Sequence, residues 1–150
     1  MSETIRLIAE SPLNTGATSL DLGFCQNILQ VANDADPREL VLTGVDCIEL
    51  HFPKFTDGRA YSQAYLLRRR LGFTGELRAT GDVLVDQLQQ LQRSGFSSAV
   101  LRDDQNLAAA QRQLARFTGF YQGDAIHPQP LFAHTAASGS TPATTTGAAA

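Results

Sequence analysis

Charged residues gather at two places where a short apolar run gives way to a helical pattern. The first reads His51-Phe52-Pro53-Lys54-Phe55-Thr56-Asp57-Gly58-Arg59, and the second Glu76-Leu77-Arg78-Ala79-Thr80-Gly81-Asp82. In an α/β protein such junctions lie at the carboxyl ends of parallel strands, where ligands bind. Free backbone N–H groups at a helix start attract anions, and Lys54 and Arg59 stand beside one. Lys54, Asp57, Arg59, Arg78 and Asp82 are therefore candidate ligands of a small oxyanion, sulfur-based or phosphorylated. Glu49, His51, Glu76 and Arg102 are secondary candidates, and no single residue stands out as catalytic.

Each has a plainer role beside that one. Asp57 and Asp82 sit where helix N-caps belong. A buried Arg78 needs a carboxylate, which Glu76, Glu49 or Asp57 can supply, and a structural ion pair is the commoner outcome. His51 beside Glu49 could move protons, although a satisfied histidine is the usual case. Asp57, Asp82 and Asp103 each follow a different strand, as in barrels that hold magnesium. Caps use two of them, so no metal is expected. The run Arg68-Arg69-Arg70 reads as a solvated helix face or a docking surface for an acidic partner.

These residues are positioned by a repeat. Gly-Phe recurs at 72–73, 95–96 and 119–120, each time after an amphipathic pattern. The stripes are Ala60, Ala64, Leu67 and Leu71, then Leu84, Leu88 and Leu91, then Leu107, Ala110, Leu114 and Phe117. Gly72, Gly95 and Gly119 are expected as left-handed caps, with Asp57 or Thr56, Asp82 and Asp104 as N-caps. Strands are expected at 5–9, 28–32, 46–52, 76–80 and 98–102, with a short helix opened by Pro37. Strands and helices alternating at this spacing predict βαβ units and a mostly parallel sheet.

Those strands alternate apolar and polar residues, whereas a doubly covered parallel sheet reads apolar throughout. One face carries Glu49, His51, Glu76, Arg78 and Arg102. That suits a partial, barrel-like α/β sheet, with an open three-layer α/β sheet as the alternative. A ligand, a partner or a second copy of the chain could complete the polar face, so a homo-oligomer is one expectation.

With 150 residues, 43% of them hydrophobic, the chain suits one domain, placed at 1–134. Residues 135–150 are Ala, Thr, Ser, Gly and Pro and read as a disordered tail, and 11–20 reads as a loop. A net charge of −3 leaves no electrostatic footprint for nucleic acid or an anionic membrane. No apolar run reaches the length of a membrane span, and a cytoplasmic location is the default. No cofactor motif is present, so no cofactor is expected. Cys25 and Cys47 read as small buried hydrophobes and not as a structural disulfide.

The run Phe52-Pro-Lys-Phe-Thr-Asp-Gly-Arg-Ala-Tyr-Ser-Gln-Ala64, with Leu67-Arg68 and Gly72-Phe-Thr-Gly-Glu-Leu-Arg-Ala-Thr-Gly-Asp82, resembles a bacterial family of unknown function. The resemblance continues through Asp86-Gln87-Leu88, Arg93, Gly95-Phe96 and Tyr121-Gln122, about residues 28–123. That family is described as oxidoreductases of sulfite reduction, because its genes lie beside those of assimilatory sulfite reductase and of adenylyl-sulfate or phosphoadenylyl-sulfate reductase. Ser94 stands where many relatives have Cys, so a thiol at that position is not open to this chain. The resemblance implies an accessory protein of sulfate and sulfite reduction, with sulfite reductase or its electron donor as partner. The charged junctions support the other reading, a small anion- or phosphate-binding enzyme. If Arg78 and Glu76 pair under packed side chains the accessory reading gains, and if the five charges share a cleft the enzyme reading does.

Overall fold

The structure, a computed structural model, describes residues 4–9, 25–117 and 119–133. Its strands are β1 (Arg6–Ala9), β2 (Ile28–Val31), β3 (Cys47–Phe52), β4 (Glu76–Gly81) and β5 (Ser98–Leu101). Its helices are α1 (Arg59–Arg69), α2 (Leu88–Ser94) and α3 (Leu107–Ala115), with 3₁₀ turns at Pro37–Glu39 and Val85–Gln87. The predicted loop at 11–20 and tail at 135–150 lie outside the described residues.

All five strands are parallel, in the order β1-β5-β4-β3-β2. From β2 to β5 the sheet follows the chain, because each right-handed crossover steps to the next neighbour and leaves its helix on the same side. The fold is thus α/β, as the alternation predicts. β1 and β2 form its edges, so the sheet is open. Among the described residues the helices form one layer on it and not two.

The core lies between that layer and the sheet. Register aligns Leu7, Ala99, Ala79, Leu50 and Val31 across all five strands. Ala60, Ala64 and Leu67 of α1, Leu88 and Leu91 of α2, and Ala110 of α3 close over that row in one apolar cluster. Phe52, Tyr61 and Phe96 pack their rings there, with centroids 5.2 to 6.4 Å apart, an arrangement that favours edge-to-face contact. Leu71, Leu107 and Phe117 fall outside the buried stripes and are exposed.

Gly95 ends α2 in the left-handed region (φ 103°), as expected of its place in the repeat, and Gly72 takes φ 65° after α1. Gly119 is not a cap, since α3 ends at Ala115 with Arg116 after it. The N-cap expectations also need correction. Gly58 caps α1 without a side-chain bond, and Asn106 caps α3 by accepting from Ala109 N. Leu84 starts the turn before α2, where the Gln87 side chain accepts from Leu84 N at 2.9 Å. Asp57, one residue ahead of Gly58, accepts from Arg59 N at 3.2 Å as well as from the Arg59 side chain, whereas Asp82 and Asp104 hold Arg102. No described helix is long and apolar enough to cross a membrane.

Candidate functional site

Side chains alternate across a strand, so one step along from the core row the residues face the opposite way. Register there aligns Arg6, Ser98, Arg78, Glu49 and Gln30, a polar row crossing all five strands. Arg78 is its centre and is 1% exposed. Its Nε and Nη2 donate to Glu76 Oε1 at 3.1 and 3.0 Å, and its Nη1 donates to Glu49 Oε1 at 2.9 Å. Gln30 Nε2 donates to the other Glu49 oxygen at 3.1 Å.

Glu76 is the hub of the network. Arg6 Nη2 donates to both its oxygens at 2.9 Å, Ser98 Oγ donates at 2.5 Å, and Cys25 Sγ donates at 3.4 Å. Burial acts to raise the pKa of this carboxyl, but the Ser98 hydroxyl, Arg78 and the Cys25 thiol outweigh it and hold it below the ordinary value. Burial acts likewise to lower the pKa of Arg78, yet the surrounding charges raise it. The pair is ionised, and its Coulomb attraction is set against desolvation.

A pH dependence follows from the depressed Glu76. The stability it confers is fully present above its unfolded pKa near 4.5 and is lost as pH falls through the lower folded value. Thermal melts between pH 7 and pH 3 are expected to show a drop in this acid window. The Glu76→Gln protein, less stable at neutral pH, is expected to show a smaller one. Equal slopes would contradict the assignment.

The sequence singled out Arg78, Glu76 and Glu49 and proposed their pairing, and the structure brings these three together. The sequence pattern assigns the two thiols to packing alone. Cys47 is fully buried, but it stands on the polar register of β3 beside Cys25 and Glu76. Burial pushes the Cys47 thiol up to about 12, and burial followed by the Glu76 hydrogen bond raises Cys25. The alternation Cys47, Glu49, His51 carried a signal for Cys47. Ser98 stands on the polar alternation of its strand, while nothing periodic flagged Cys25 or Arg6.

At the carboxyl ends of the strands the other candidates are held in two separate groups. Asp57 binds Arg59 through Nε at 3.1 Å and Nη2 at 2.8 Å, and accepts from Asn33 Nδ2 at 2.6 Å. Asp82 accepts from Phe55 N at 2.8 Å and pairs with Arg102, whose other bonds go to Asp104. Arg59 holds the Asp57 carboxyl below its usual range, and Arg102 brings Asp104 down to about 2. Lys54 is exposed in the turn after β3, and His51 is exposed against Gly81. Gly81 has φ 89°, and a Cβ there would lie 2.4 Å from the Phe52 carbonyl and 2.6 Å from the His51 ring. Only glycine lets β4 close on β3 at this point.

The arginine run divides on inspection. Arg69 and Arg70 are exposed. Arg68 turns inward and donates to the carbonyls of Gly95 at 2.8 Å, Phe73 at 2.7 Å and Gly75 at 2.8 Å, and to Ser97 Oγ at 2.8 Å. It ties the loops that lead into β4 and β5. Burial lowers its pKa. A cleft of about 760 Å³ opens beside it at the amino ends of the strands, lined by Arg6, Arg68, Arg69, Glu76, Asp124 and His127 among others.

A family model described as "Bacterial protein of unknown function (DUF934)" matches residues 28–132. No curated protein and no solved structure matches the chain.

Proposed function

The chain belongs to this bacterial family of unknown function, and from that premise we propose that it serves assimilatory sulfate and sulfite reduction as an accessory protein, acting with sulfite reductase or that enzyme's electron supply. One observation carries the choice over a small anion- or phosphate-binding enzyme. Arg78, the best-placed cation for a substrate oxyanion, is spent inside the protein on Glu76 and Glu49. Arg59 and Arg102 are likewise engaged by Asp57, and by Asp82 and Asp104. Binding an oxyanion at any of them would first break a charge-assisted bond.

The pathway itself comes from the motif resemblance at 52–82, and the partner is the reductase or the protein that hands it electrons. A cytoplasmic setting goes with that pathway. Cells lacking the gene are expected to grow on sulfide but not on sulfate or sulfite as sole sulfur source, and the gene returned on a plasmid restores growth. Undisturbed growth on all three sources would overturn the reading. Growth on sulfite but not sulfate would move the protein upstream, to the reductase that makes sulfite.

A further inference from the structure

Two thiols and a carboxylate meet on the polar face near the β2 edge. Sγ of Cys25, Sγ of Cys47 and a Glu76 oxygen all lie within 4.8 Å of one another. Cys25 Sγ donates to Glu76 at 3.4 Å. They are the only cysteines of the chain. Cys25 is partly exposed just ahead of β2, and Cys47 is buried at the start of β3.

We propose that Cys25 and Cys47 are a reversible dithiol–disulfide pair, in which the accessible Cys25 attacks a small disulfide and the buried Cys47 resolves the intermediate. The division of labour follows from access: an incoming disulfide can reach Cys25, while Cys47 has Cys25 as its sulfur neighbour. Cys25, partly exposed, gives up its proton to water. The thiolate attacks one sulfur of the disulfide, that S–S bond breaks, and the departing thiolate takes up a proton. Cys47 then loses its proton and attacks Cys25 Sγ, expelling the second small thiolate, which is protonated in turn. Two protein thiols are oxidised to one disulfide and one small disulfide is reduced to two thiols, so electrons and protons balance.

The same three groups could be read as metal ligands. A cation there would compete with Arg6, Arg78 and Ser98 for the Glu76 oxygens and would sit beside two guanidinium groups. Disulfide formation leaves every one of those charge pairs in place. The pairing rests on this geometry and stands whether or not the sulfite reading holds.

The test exposes the purified full chain to oxidised glutathione, quenches with N-ethylmaleimide in denaturant, and reads the intact mass. Wild type is expected to lose two hydrogens and carry neither maleimide nor glutathione, with both thiols labelled again after dithiothreitol. Cys47→Ser is expected to stop with one glutathione on Cys25. Two maleimides, or a glutathione adduct that persists on wild type, would overturn the proposal. So would untreated protein whose thiols are shielded by a bound zinc that a chelator removes. If circular dichroism shows Cys47→Ser unfolded, the wild-type masses decide alone.

Discussion

Arg78→Ala is expected to lower unfolding stability by about 3–5 kcal/mol, the cost of leaving a buried charge partner uncompensated. Glu76 and Glu49 would face each other across β4 and β3 without the guanidinium between them, and both are only 15–16% exposed. A domain of this size has about 5–15 kcal/mol to lose, so the variant folds marginally or not at all. Urea denaturation followed by circular dichroism measures it. Arg78→Met, which fills the volume but removes the cation the two acids share, should fare little better. Arg78→Met with Glu76→Gln and Glu49→Gln should recover much of the loss, because no buried charge is then left facing apolar atoms, and Arg6, half exposed, can turn to water. An Arg78→Ala protein as stable as wild type would remove the network from the list of what holds the sheet together.

The second large effect belongs to Arg68. Arg68→Ala removes four hydrogen bonds from a charged donor, three of them to backbone carbonyls. Water entering the adjacent cleft can replace some of them, so the expected cost is about 2–3 kcal/mol. The aliphatic stem also covers Gly95, where a Cβ would lie 2.6 Å from Arg68 Cγ, and that packing is lost as well. Arg68→Lys should recover less than half. An ammonium cannot span the Gly95, Phe73 and Gly75 carbonyls with the fork of a guanidinium. A loss below about 0.5 kcal/mol, ordinary for an exposed helix position, would mean the clamp contributes nothing.

Much of this architecture was legible from periodicity. The strand starts and ends fall within a residue or so of their alternating runs, because a parallel strand buried on one side must alternate. Gly72 and Gly95 announced the ends of α1 and α2 because left-handed backbone is cheap only for glycine. Asp82 and Asp104 misled because an aspartate before a helix has two good acceptor roles. Arg102 outbids the helix N–H groups for Asp82 and Asp104, while Asp57 accepts from both Arg59 N and the Arg59 guanidinium. Arg68 misled for a similar reason: a charge run looks the same whether its members face water or fold back on carbonyls. The pairing of Arg78 could be inferred from its strand position, since it sits one step from core residues on both sides. The meeting of Cys25 with Cys47 could not, because it depends on how the chain enters β2, which no repeat or spacing records.

The order of the strands also has a consequence for how the chain assembles. β2 to β5 pair with near neighbours in sequence, so that part of the sheet can form from local contacts. β1 is made first, yet its partner is the last strand, with Arg6 opposite Ser98. It must wait until β5 exists, and closing so long a loop is the slow, entropically costly step. It is also the strand the family match leaves out, since that match begins at the first residue of β2. β1 is therefore the natural first element to detach. When it goes it takes Arg6 from Glu76 and bares the edge of β5, a vacant slot shaped for a parallel strand from another chain.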